Sequence, residues 1–141
     1  MGILDFLRRK KEDATVMPVT MPTLPELRAT RRLKGITEPN VAQAKAGFAD
    51  CIGRMGDWHA ATGVYDIPYS CLYGRKISNL ITAGRCISNQ DDFWDFTREI
   101  PVCALTGEAA GAAAAIAAAG TASLSEVPLA ELRQRIGYRE K

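Results

Sequence analysis

A run of small residues near the C-terminal end dictates much of what this chain can become. Nine of the eleven residues Ala109–Ala119 are alanine, interrupted only by Gly111 and Ile116. Alanine is the strongest helix former because it gives up no side-chain freedom on folding. Pro101 suits the start of such a helix, where its missing N–H would be unpaired anyway. The stretch therefore predicts a helix from Pro101 to about Ala119, closed by Gly120. Upstream, Leu80–Ala83 is apolar and stops at Gly84, the pattern of a short buried strand. A strand followed by a small-residue helix is half of a β-α-β layer and needs further strands to complete a fold. Gly107 and Gly111, four residues apart, predict a smooth helix face for close packing.

The remaining elements follow from spacing. Pro18, Pro22 and Pro25 make residues 12–27 an extended linker. Leu27–Ile36 reads as a strand with Arg31, Arg32 and Lys34 around Leu33. From Asn40 to Met55, Val41, Ala44, Phe48, Cys51, Ile52 and Met55 recur at intervals of three and four, which predicts an amphipathic helix. Residues 57–63 form a loop, in which His59 reads as a solvated residue rather than as a catalytic acid or base. Gly63–Tyr69 and Ser70–Tyr73 read as extended, with Pro68 at an edge or a bend. Gly74–Ser78 is a turn, and Leu129–Ile136 a last short helix with Leu129, Leu132 and Ile136 on one face. The chain divides into an N-terminal segment, 1–27, and a domain, 28–141.

Composition excludes several functions. A net charge of +2, from 18 basic and 16 acidic residues, is too small to point to nucleic acid. Cys51, Cys71, Cys86 and Cys103 form no CxxC pair, and His59 has no cysteine close in sequence, so no metal site is expected. The bland reading of the four cysteines is reduced, mostly buried thiols in a cytoplasmic protein. The start, MGILDFLRRKK, places its charge after its apolar part, the reverse of a secretory signal. It reads as a frayed end or as a short helical turn that docks on a partner or touches a membrane surface. The eleven-residue run Ala109–Ala119 falls short of the roughly 20 residues needed to span a bilayer, and no membrane span is expected.

The stretches TGVYDIPYSCLYGRKISNLITAGRCIS and TREIPVCALTGEAAGAAAA carry a family resemblance. Together and in this order they resemble the C-terminal, flavin-facing part of the FAD-dependent oxidoreductases of the two-dinucleotide-fold type. The resemblance is tight over Thr62–Ile116 and looser over Arg28–Gly56 and Leu129–Ile136. It implies an α/β fold, a partial Rossmann-like FAD-binding layer in which the alanine-rich helix follows a buried strand. It places the Ala83-Gly84-Arg85 turn beside the ribityl and pyrophosphate of FAD and points the helix that begins at Pro101 toward the flavin pyrimidine. Reduction builds negative charge at that end of the ring, which a helix N-terminus stabilises. Gly84, Arg85, Arg98, Pro101, Val102 and Cys103 are the positions that the resemblance makes flavin-facing; no catalytic residue is assigned.

Two departures from the family matter. The sequence contains no G-x-G, whereas the family opens on a G-x-G-x-x-G turn that holds the FAD pyrophosphate. Relatives also carry one or two histidines ahead of the arginine, where this chain has Asn89-Gln90-Asp91-Asp92-Phe93-Trp94-Asp95-Phe96. Asp and Trp do not exchange protons near neutral pH as histidine does. The expectation is a flavin-site portion or small subunit of an FAD-dependent oxidoreductase. It would share FAD with a G-x-G-x-x-G chain or self-associate, and hydride or electron transfer would run through the flavin. The competing expectation is a non-catalytic interaction protein, or a truncated product, derived from that family. Arg85 and Arg98 have a plainer reading as ion-pair partners of Asp91, Asp92, Asp95 or Glu99; Trp94, between Phe93 and Phe96, either stacks on the isoalloxazine ring or, more plainly, fills core or a subunit contact with them.

Overall fold

The computed structural model describes residues 31–59, 63–121 and 123–139. The segment 1–27 and residues 27–30 of the expected first strand lie outside them. Residues 31–36 form no strand. Leu33 N–H instead donates to the Cys86 carbonyl at 2.8 Å, which ties this extended stretch to the Gly84–Cys86 turn.

The architecture is a mixed α/β one, with a small antiparallel sheet and, among the described residues, four α-helices around a common core. Helix α1 (Val41–Ala46) is followed by strand β1 (Cys51–Gly56) and strand β2 (Val64–Pro68), which pair antiparallel. Then come α2 (Asp91–Thr97), α3 (Ile100–Ile116) and α4 (Leu129–Arg135). Among the described residues the sheet has these two strands alone.

The helix expected over Asn40–Met55 is therefore two elements. Asn40 caps α1 through a reciprocal box with Gln43, and Gly47, at φ 99°, ends it after six residues. Beyond that turn the chain becomes β1. A register shift between Cys51 and Gly53 breaks the strand's two-residue alternation, and Cys51, Ile52 and Gly53 are all buried. A bulged strand covered on both faces thus imitates helical spacing.

Two further expectations are corrected. Ser70–Tyr73 is not extended: Tyr69–Cys71 is a turn of 3-10 helix. Leu80–Ala83 is not a buried strand but an extended segment with one bridge, Ile81 to Tyr73, and Leu80 is 42% exposed. Thr82 N–H donates to the Leu72 carbonyl at 2.8 Å. Alternation along an extended chain turns the Ile81 N–H the other way, where it has no partner among the described residues.

The alanine-rich helix forms as expected, with Pro101 at its second position and Ile100 at its first, and it continues as a π turn to Thr121. Val102, Thr106, Ala109, Ala113 and Ile116 form its buried stripe, spaced by three and four, with Ala110 buried beside them. The glycines lie elsewhere. A Cβ added at Gly107 or Gly111 would meet no atom within 4 Å, so among the described residues nothing packs closely on that face. The close approach of helix and strand comes from Gly53 in β1, whose added Cβ would sit 2.4 Å from Leu105 Cδ2. Gly111→Ala should consequently raise the free energy of unfolding by up to about 1 kcal/mol, because an exposed glycine within a helix is replaced by a better helix former. Urea denaturation measures this, and a lower midpoint would mean that something packs on the glycine.

Taken with its π turn, the stretch Ile100–Gly120 has 21 residues and a mean hydropathy of 1.6, long and apolar enough to cross a membrane by length and composition. The eleven-residue run read from the sequence understates it. Its inner face packs on β1 and α4, while only 39% of its most apolar 18-residue window is buried. The outer alanine face is bare.

Candidate functional site

Everything that the resemblance singles out gathers at the head of α3, on two sides of it. On the first side lies the Gly84–Cys86 turn. Gly84 takes φ 70°, a left-handed conformation that other residues seldom adopt. Its N–H donates to Thr106 Oγ1 at 2.9 Å, and that fully buried hydroxyl donates to the Val102 carbonyl at 2.7 Å. The pair clamps the turn onto the first turns of α3. A Cβ on Gly84 would come to 3.5 Å from Cys103 Sγ. Partial burial raises the Cys103 thiol pKa; Arg85 pulls it down, and Glu99 and Cys86 push it up. Gly84, Arg85, Cys86 and Cys103 are thus neighbours. Arg85 makes no ion pair among the described residues. Cys51 and Cys71 are buried free thiols, whereas Cys86 is exposed and Cys103 half-buried.

On the second side a cleft of about 380 Å3 separates the end of β1 from the head of α3. Arg54, Met55, Gly56 and Trp58 form one wall, and Glu99, Pro101, Val102 and Leu105 the other. Arg54 is held at this rim by Asp66, at 2.9 Å, and by the Tyr138 hydroxyl, at 3.1 Å. Glu99 is the N-cap of α3 but makes no side-chain cap, and Pro101 has no N–H, so the Ile100 and Val102 N–H groups are left without a partner among the described residues.

Arg98 lies just outside this cleft and bears out its plainer reading. Its Nη2 and Nε lie 2.7 and 2.8 Å from Asp95 Oδ1, and Nη1 is 3.5 Å from Glu99. The guanidinium sits 5.6 Å above the Trp94 ring. Its hydrogen bond is the main reason that the Asp95 carboxyl is held below the ordinary carboxylate range. The Arg98 carbonyl faces the Cys103 thiol, 3.5 Å away. Phe93 and Phe96 fill core, as their plainer reading expects, while Trp94 is half-buried.

The matched family is described as FAD dependent oxidoreductase, and its model covers residues 4–136. This chain belongs to the FAD-dependent oxidoreductase family. Searches of curated proteins and of solved structures give no match. Family membership implies FAD as the cofactor, and the residues at the head of α3 suit one end of it. Unpaired N–H groups, a glycine with no Cβ beside Cys103 and an open cleft fit the isoalloxazine ring, whose reduced form is negative. The residues for the other end are missing from what is described. No G-x-G turn occurs in the sequence, and a two-stranded antiparallel sheet offers no phosphate cradle at a strand's carboxyl end. FAD would supply the electron acceptor when bound, and Gly84, Pro101 and Val102 are the residues that would lie against its ring.

Sequence reasoning missed several residues of the site. Thr106 had a signal, a lone hydroxyl within an apolar helix. Trp58 and Arg54 had none, because only the fold of β1 brings them to α3.

Proposed function

We propose that the chain forms the flavin-ring end of an FAD-dependent oxidoreductase, and that a second chain carrying G-x-G-x-x-G supplies the phosphate end. The observation that carries this reading is the head of α3: uncapped, and closed on one side by left-handed Gly84 against Cys103. The same fold is open where a larger sheet would continue. Among the described residues the Ile81 N–H has no partner, Leu80 and Ile77 are 42% and 53% exposed, and the outer face of α3 is exposed alanine. Exposed strand edges invite pairing. A partner that adds a strand beside Leu80–Ala83 would cover all three and complete a Rossmann-like layer. The reaction is hydride or electron transfer through the flavin. The free thiols support a reducing, cytoplasmic setting.

The purified chain alone is expected not to retain FAD in equal proportion, since nothing in it grips the pyrophosphate. Flavin absorbance against protein concentration tests this, with and without the G-x-G-x-x-G chain encoded nearest its gene. Retention should appear only with the second chain. A yellow preparation near one flavin per chain, with no partner, would overturn the shared site. No flavin under either condition would favour a non-catalytic interaction protein.

A further inference from the structure

Beside the Leu80–Ala83 edge lies a groove of about 470 Å3 that the head of α3 does not use. Residues 33–35, the turn 74–77 and Leu80 line it. The turn is tied down at both ends: Ile36 N–H donates to the Tyr73 carbonyl at 3.1 Å, and Leu124 N–H to the Ser78 carbonyl at 3.0 Å. A Cβ added at Gly74 would lie 3.1 Å from the Lys34 carbonyl oxygen, so the two walls meet backbone to backbone. The apolar lining is Leu33, Ile77 and Leu80. Around it stand Lys34, Arg75 and Lys76, all exposed, and none of them makes an ion pair among the described residues. No acidic side chain lines the groove. Covering the apolar strip is favourable for any occupant, and an occupant that brings carboxylates also matches the charge. A second copy of this chain would set cations against cations at the same edge, which like charge opposes. The groove is concave and adjoins the Ile81 N–H. An extended backbone satisfies both features, and a flat bilayer surface neither.

We propose that this groove receives an acidic, extended segment of the G-x-G-x-x-G chain. The segment pairs with the Leu80–Ala83 edge, lays an apolar side chain between Leu33, Ile77 and Leu80, and turns Asp or Glu carboxylates to Lys34, Arg75 and Lys76. The proposal rests on the reading that a second chain continues the sheet at this edge, and it states the chemistry of that chain. Because the three cations are exposed, they steer association and select the partner more than they hold the finished complex.

Carbodiimide coupling, which joins an ammonium to a carboxylate only where the two touch, tests this on the full chain mixed with the G-x-G-x-x-G chain encoded nearest its gene. Mass spectrometry should find Lys34 and Lys76 joined to Asp or Glu of that chain, and Lys45, which lies outside the groove, not joined. Reversing the groove charge with Lys34→Glu, Arg75→Glu and Lys76→Glu together should weaken the complex about tenfold or more at low salt. It should also flatten the loss of affinity that added salt causes in the native chain. The thermal midpoint of the reversed chain alone should stay where it was, since none of the three side chains has an ion pair to lose among the described residues. A complex that retains flavin, shows no coupling to Lys34 or Lys76 and keeps its affinity after reversal overturns the groove and leaves the shared flavin site standing. Coupling and charge-dependent binding without flavin uphold the groove and sink the flavin reading. No complex with the native chain overturns both. Sedimentation with phosphatidylcholine vesicles that contain phosphatidylserine covers the other occupant. Vesicle binding that reversal abolishes, beside a partner affinity that it leaves unchanged, would give this face to a membrane surface and overturn the proposal.

Discussion

Phe93→Ala is expected to lower the free energy of unfolding by about 3–5 kcal/mol, the cost of emptying a phenylalanine site in a packed core. Phe93 is fully buried and meets Tyr65 in a T-shaped contact at 5.9 Å. It is also the anchor of α2, a helix of seven residues. A helix that short does not hold itself together in water and takes its stability from packing. Loss of Phe93 should therefore loosen Asp95 and Arg98 together with the core. Urea denaturation gives the magnitude, and Phe93→Leu, which keeps most of the volume, should cost distinctly less. A loss below about 1 kcal/mol for the alanine variant would mean that α2 is not anchored there.

Gly53→Leu should cost about 1–3 kcal/mol through overpacking between β1 and α3. The space that a side chain would need is taken by Leu105, whose Cδ2, Cδ1 and Cγ lie 2.4, 2.7 and 3.0 Å from an added Cβ. Leu105 also lines the cleft, so displacing it should widen the site. The decisive comparison is a double-mutant cycle. In a Leu105→Ala background the same glycine substitution should cost less, and the difference is the coupling between the two positions. Additive costs would show that the two residues do not contend for one space.

The resemblance read from the sequence held where contacts are local. AGRC and TREIPVCALTGEAAG were legible as one block because Gly84, Cys103 and Thr106 meet within a short loop-and-helix unit. Gly84 itself was legible as a backbone position, and its left-handed φ is the reason. His59 was not legible as a neighbour of Asp95. It is 36 residues from Asp95 in the chain, and nothing in the loop around it announces a partner. Pro101, Val102 and Arg98 were all singled out, yet the fold separates their tasks: the first two line the cleft, and the third ties down Asp95.

By itself the sequence determined the helices α3 and α4 and the turn at Gly84, because alanine content, proline position and apolar spacing act within a few residues of themselves. Tertiary structure decided the rest. The spacing of Val41 to Met55 suits a helix, but Gly47 and the pairing with β2 turn its second half into a bulged strand. Leu80–Ala83 is apolar enough for a buried strand, but burial needs neighbouring strands that the described residues lack. Gly107 and Gly111 permit close packing, while what packs is settled by which face of α3 meets β1. Periodicity specifies that a face is apolar or smooth; only the surfaces brought against it determine whether that face becomes core, edge or site.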